Sequence, residues 1–199
     1  MSHSSNRVRL PLFPLNTVLF PGGPLPLRIF ETRYLDMVRD CLKNNTGFGV
    51  CLIQDGREVG EAAQIVDLGV VAKIIDWHQR YDGLLGITAR GQERFQVIDK
   101  TVQPNQLIIA DIEILPEAEP VEMPDRFKHL ADIARKLLTQ VGQHYDEKDS
   151  GLNSAGWVSY RLVELLPMQM SLKQYFLELE DPIKRLQLLD ETLKGTQVV

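Results

Sequence analysis

Cysteine is nearly absent: the 199 residues hold two, Cys41 and Cys51. Both fall in apolar stretches, so they are expected as two reduced core thiols rather than a disulfide. No run is long and apolar enough to span a bilayer. The first seven residues, from Met1 to Arg7, have no apolar core behind their charge. They read as a frayed tail rather than a signal peptide, and a cytoplasmic location is expected. Histidines number four, and no His/Cys pair has the spacing of a structural zinc site, so no metal site is expected. No G-x-x-x-x-G-K-[ST] loop occurs, which removes the usual backbone cradle for nucleotide phosphates, and no cofactor is expected.

A basic surplus is missing as well. Net charge is −5, and its location is uneven. Residues 1–116 hold 12 Lys/Arg against 13 Asp/Glu, and residues 126–199 hold ten of each. Between them, residues 117–125 hold four acids and no base. Neither end carries the positive excess that a phosphate-backbone binder needs, which argues against nucleic acid. Hydrophobic residues at 44% and charged residues at 25% are ordinary for a folded domain.

The most informative stretch runs from Leu10 to Leu42. Val8, Leu10 and Leu12 alternate as a strand, and the apolar run Thr17–Phe20 leads to Pro21-Gly22-Gly23-Pro24. Proline fixes φ and glycine permits positive φ, so this tetrad predicts a tight turn with Gly22 or Gly23 in the left-handed region. Leu25, Leu27 and Ile29 alternate as a second strand. Pro11, Pro14 and Pro26 cannot donate to a ladder, so these strands are expected at edges or bulged. Tyr34, Leu35, Val38, Cys41 and Leu42 follow helical spacing, and Asn44-Asn45-Thr46-Gly47 stops the helix.

These residues resemble a known family. Pro14-Leu15, Phe20-Pro21-Gly22-Gly23, Pro26 to Glu31 and Arg33-Tyr34 are similar to the N-terminal substrate-recognition (LON) domain of the Lon proteases, in particular to small bacterial proteins made of this domain alone. The resemblance continues through Phe48-Gly49-Val50, Gly83 to Ile87 and Gly91 to Phe95. It then takes in Trp157, Arg161 and Leu165-Leu166-Pro167. It implies a PUA-like β pseudo-barrel and a binding role without a reaction.

Further along, Phe48–Gln54 reads as a buried strand, Asp55-Gly56 and Asp82-Gly83 as turns, and Gly69 as a bulge or bend in the strand between. Leu85, Ile87 and Ala89 form a strand, Arg90-Gly91-Gln92 a turn, and Phe95 and Val97 the next strand. Leu107–Leu115 is the last. Short strands separated by turn pairs predict an antiparallel sheet curled into a barrel with one inserted helix. Pro116 to Asp125 holds three further prolines and reads as an exposed linker. Beyond it the period is helical. Phe127 to Tyr145 forms one stripe, which Gly142 ends early, and His144–Asn153 is a polar loop. Trp157 to Leu166 is a second helix ended by Pro167. Ser171 with Gln174 reads as a capping box, and Asp181-Pro182 opens a last helix. The fold class is therefore α+β: residues 1–116 a β-rich LON subdomain, 117–125 an acidic Pro-rich linker, 126–199 a helical subdomain forming a bundle.

Candidate chemistry is sparse. Ser154-Ala155-Gly156 resembles the serine motif of Lon proteases, but Asn153 stands where that family has proline, and Ser154 is better placed as a helix N-cap. His129 has Asp125 and Asp132 within a turn, a pattern explained by a solvated helix face with local charge contacts. Arg28 or Arg33 is expected to pair with Glu31 or Asp36. What the resemblance to the LON domain implies is a non-enzyme that recognises extended or unfolded polypeptides, associated with a protease or chaperone system, with an apolar groove between barrel and bundle. The expected binding residues are Phe20, Gly22, Gly23, Arg28, Phe30, Tyr34, Trp77 and Phe95, with one or two of the aromatics exposed. RNA binding is the alternative, because PUA-like barrels often serve RNA; the charge distribution opposes it.

Overall fold

A computed structural model describes residues 7–141 and 151–196. The chain divides into two compact units, 1–116 and 117–199.

The first unit contains six strands and one helix: β1 (Arg7–Leu15), β2 (Pro24–Ile29), α1 (Thr32–Asn44), β3 (Phe48–Asp55), β4 (Gln64–Gln79), β5 (Leu85–Val102) and β6 (Ile108–Ile114). The sheet order is β2-β5-β4-β3-β1-β6, with a further pairing of β5 to β6. The strands therefore form a partial ring rather than a true barrel. All pairings are antiparallel except β1 with β3, so the sheet is mixed. The α+β expectation holds, and several local readings need correction.

Arg90-Gly91-Gln92 is no turn. β5 runs unbroken from Leu85 to Val102. Gly91 is there because Phe20 approaches: a Cβ on Gly91 would lie inside van der Waals contact of the Phe20 carbonyl oxygen. Proline also misleads in β1, which lies inside the sheet between β3 and β6. β6 pairs with Arg7 to Leu12 and β3 with Leu12 to Leu15. Pro11 and Pro14 each sit in a half with one neighbour, so each ring has an open side. β2, with Pro24 and Pro26, is a true edge strand.

The core of this unit collects Leu12, Phe20, Phe48, Val70, Ile87, Phe95 and Ile112, each essentially inaccessible. Helix α1 covers it through Tyr34, Met37, Val38 and Cys41, and Tyr34 stacks on Phe13 with ring centroids 3.9 Å apart. Leu35 and Leu42, expected on the stripe, are exposed; Met37 takes their place. Asn45 ends the helix in the left-handed conformation (φ 53°).

The second unit contains a 3-10 turn (Asp125–Phe127) and helices α2 (Lys128–Val141), α3 (Ala155–Leu165), α4 (Met170–Glu178) and α5 (Pro182–Thr196). Leu130, Ala134, Val158, Leu162, Phe176, Leu186 and Leu189 form its apolar interior. Asp181 caps α5, its carboxylate accepting the N–H of Ile183 at 2.8 Å. α4 corrects the capping-box reading: Ser171 lies inside the helix, Gln169 is at the N-cap, and the Gln174 amide bonds Glu178 at 3.1 Å. Part of the acidic Pro-rich stretch is tied down, since Met123 donates to the Asn153 carbonyl at 2.8 Å and Ala155 to that of Val121 at 2.9 Å. Gly142 and His144 lie outside the described residues. Among the described residues, no helix is long and apolar enough to cross a membrane.

Candidate functional site

Groups that carry chemistry elsewhere are engaged structurally here. The Ser154 hydroxyl accepts the Trp157 N–H at 3.3 Å as the N-cap of α3. His129 bonds the Asp190 carboxylate at 2.8 Å, while Asp125 pairs with Lys128 and Asp132 with Arg135. Among the described residues no three His, Cys, Asp or Glu are grouped to hold a metal ion. Both cysteines are buried. Burial pushes the Cys51 thiol up to about 12 and the Cys41 thiol above its ordinary value, so neither supplies thiolate at neutral pH.

The eight residues picked from the sequence separate by depth. Phe20 and Phe95 are fully buried and Tyr34 nearly so, with its phenol pushed up to about 12 by burial. These three belong to the core and form no surface. Gly22 and Gly23 build the turn. Gly22 takes φ 74° and the Gly23 N–H bonds the Phe20 carbonyl at 2.9 Å. This is a type II turn with Pro21 at its second position. The remaining three reach solvent: Phe30 is 52% exposed and Trp77 61%, and the Arg28 side chain is 56% exposed.

Arg28, Phe30 and Trp77 belong to one substructure. β3 pairs with β4 only as far as Phe48 opposite Ala72. Beyond that point β4, β5 and β2 continue as a three-stranded extension. Trp77 stands opposite Ile87, which stands opposite Leu27; His78 stands opposite Gly86, which stands opposite Arg28. A β-bulge places Ile75, 51% exposed, outside the register between Ile74 and Asp76. Phe30 directly follows the end of β2. The hairpin closing the extension turns at Gly83 (φ 80°) and presents Tyr81, 96% exposed.

The expected partners of Arg28 and Arg33 separate too. Arg33 is buried, pairs with Glu31 at 3.0 Å and donates to the Gln106 carbonyl at 2.8 Å, locking the start of α1 to the β5–β6 turn. Asp36 pairs with Arg39. Arg28 instead reaches across the extension to Asp82 at 3.4 Å, and Arg80 meets the same carboxylate at 3.5 Å. Against a desolvation that works the other way, the Leu84 N–H and these two guanidiniums hold the Asp82 carboxyl below its ordinary value. The sequence marked Asp82 only as part of a turn and singled out neither Ile75 nor Tyr81. An apolar residue in a strand pattern reads as core, and only the bulge and the reach of the hairpin place these side chains in solvent.

Comparison with known proteins agrees with this architecture. The family model described as the ATP-dependent protease La (LON) substrate-binding domain matches residues 9–195. A Lon N-terminal domain protein from Xanthomonas campestris, known from its crystal structure, is 35% identical. It superposes with a TM-score of 0.76 over 92% of this chain and 96% of that one. The N-terminal domain of the Mycobacterium avium complex Lon protease shares the fold, with a TM-score of 0.63 at 20% identity over 92% and 97% of the two chains. The Lon protease of Cytophaga hutchinsonii is 25% identical over 95% of this chain and 25% of its own length. This chain thus spans about a quarter of that curated relative. Protein cereblon from Xenopus tropicalis is 27% identical over 55% of this chain and 24% of its own. The family match, from residue 9 to 195, takes in both units, and the chain belongs to the LON substrate-binding domain family.

Proposed function

We propose that this protein is a non-catalytic recognition module that binds extended or unfolded segments of other polypeptides, in the cytoplasm and in association with a protease or chaperone system. The observation that carries the reading is the pair of large aromatics, Phe30 and Trp77, left more than half exposed on the three-stranded extension. Elsewhere in this unit the aromatics Phe13, Phe20, Tyr34, Phe48 and Phe95 are buried. A folded domain gains by covering an indole, and large aromatics held in water on a rigid sheet mark contact surfaces. Arg28 lies on the same extension, and the Phe20–Gly23 turn is bonded to β5 at Gly91 where the extension begins. Family membership supports the same reading, since the matching family is described by substrate binding. Affinity is modest, because a disordered partner loses entropy on ordering.

The test is fluorescence anisotropy of a labelled unfolded polypeptide and a labelled single-stranded RNA across a salt series, with the intact protein and with Trp77→Ala. Saturable polypeptide binding that persists in moderate salt is expected, because screening weakens exposed charge pairs far more than apolar burial. Trp77→Ala should weaken it about tenfold, on the scale of an aromatic anchor. RNA binding that falls steeply with salt, without polypeptide binding, contradicts the proposal.

A further inference from the structure

The two open sides of the extension differ in what they offer. On β2, Pro24 and Pro26 stand opposite Arg90 and Thr88. Proline is accommodated in a sheet where its missing N–H would face away from the neighbour. Positions 24, 26 and 28 therefore face outward with one N–H among them, that of Arg28. Such an edge cannot template another strand.

The other open side belongs to β4, where Lys73 to Gln79 pair with β5 alone. In an antiparallel ladder a residue directs its N–H and C=O to the same neighbour, and successive residues alternate. Gly91 accepts from the Gly22 N–H and donates to the Gly23 carbonyl, each at 2.9 Å, so the odd-numbered residues of this half of β5 face β2. Its even-numbered residues then face β4. At the hairpin end, Arg80 donates to the Leu84 carbonyl at 2.9 Å, which sets the even-numbered residues of β4 toward β5. Trp77 and Gln79 consequently direct both backbone groups to the open side, and no described strand pairs with them there.

The flanks of this edge have opposite chemistry. One face carries the apolar row Leu27–Ile87–Trp77. The other carries Arg28 and His78, whose ring lies in the space a side chain at Gly86 would take. Beside them Arg28 and Arg80 share the single carboxylate of Asp82. One carboxylate does not neutralise two guanidiniums. Residues 24–29 and 73–90 together hold four Lys/Arg and two Asp, in a chain whose net charge is −5.

We infer that the open side of β4 at Trp77–Gln79 receives an extended substrate segment as an added strand, and that the segment preferred alternates apolar with acidic residues. This rests on the reading of the protein as a polypeptide-recognition module. The added strand exchanges N–H···O=C bonds with Trp77 and Gln79, a known mode of peptide capture. Its alternate side chains fall on opposite faces: apolar ones against Trp77, carboxylates on the side of His78 and Arg80. Proline removes a donor the edge requires, and lysine adds like charge.

The experiment uses the intact protein and fluorescent peptides of one length. One alternates apolar residues with Glu, one replaces each Glu by Lys, and two carry backbone N-methyl groups on one or the other alternating set of the Glu peptide. The Glu peptide should bind about tenfold more tightly than the Lys peptide at low salt, and the gap should narrow as salt rises. N-methylation of one set should weaken binding about tenfold or more, and of the other set less than about threefold, because only one set faces β4. Equal response to both methylation patterns overturns strand addition while leaving polypeptide recognition standing, and preference for the Lys peptide overturns the charge assignment. A dimer of the protein that the Glu peptide does not dissociate assigns the edge to a second copy and overturns the inference. Absence of binding to any peptide overturns the recognition reading itself.

Discussion

Gly22 donates its N–H to the carbonyl of Gly91 at 2.9 Å, and Gly91 returns its own N–H to the carbonyl of Gly23 at 2.9 Å. This double link joins the turn between β1 and β2 to β5 and sets which residues of β5 face β2. Two glycines are needed for different reasons. Gly22 takes a φ of 74°, and Gly91 has the Phe20 carbonyl where a Cβ would go.

Gly22→Val should therefore cost roughly 1–3 kcal/mol of stability through backbone strain. Gly91→Ala should cost about 1–3 kcal/mol by forcing the turn off the strand. Thermal or denaturant unfolding of the two variants checks this. Unchanged unfolding of both would show that the link is permissive.

Cys51 gives a prediction in pH. Burial raises its folded-state thiol to about 12 from an ordinary value of 9.0. The folded state thus favours the neutral thiol. That contribution to stability is fully present below pH 9 and is lost as pH rises from 9 toward 12. Native protein at pH 8 should leave Cys51 unmodified by iodoacetamide, with modification appearing on addition of denaturant. Rapid labelling of Cys51 in the native protein would contradict the packed environment.

Ser154→Ala should lower stability by about 1 kcal/mol, the cost of a lost N-cap. ATP hydrolysis and casein degradation should be absent from both proteins. An ATP-dependent protease activity that Ser154→Ala abolishes would give the hydroxyl a chemical role in place of the capping one.

Limited proteolysis should cut first within residues 116–120. The neighbouring Val121 and Met123 have backbone partners in the second unit, whereas residues 115–120 form no regular element. Earlier cleavage inside β3 to β6 would contradict this order of local stability.

What the sequence revealed followed from local rules. Pro21-Gly22 specifies its turn through two residues whose φ preferences are intrinsic, Asn45 ends α1 in the same way, and Asp181-Pro182 opens α5. Burial was legible where apolar spacing is regular, as at Tyr34, Val38 and Cys41. Sequence alone failed where a distant segment decides. Gly91 reads as a turn until the Phe20 carbonyl is placed against it. Ser171 reads as a cap, but the helix starts two residues earlier than that reading requires, with Gln169 at its N-cap. In the candidate site, Phe20, Phe30, Tyr34, Trp77 and Phe95 are equivalent as letters. Only the end of β3 pairing at Ala72 leaves Trp77 in solvent, and only the ring of strands closes over Phe95. The Arg28–Asp82–Arg80 cluster depends on a hairpin whose reach no periodicity encodes.

The most direct measurement is residue-resolved amide NMR of the isotope-labelled protein titrated with an unfolded polypeptide. Shift changes should concentrate at residues 24–30 and 73–85, and should be lost in Trp77→Ala while the rest of the spectrum keeps its folded dispersion. A titration that leaves those amides unmoved, or that perturbs only residues 117–196, would contradict recognition through the three-stranded extension.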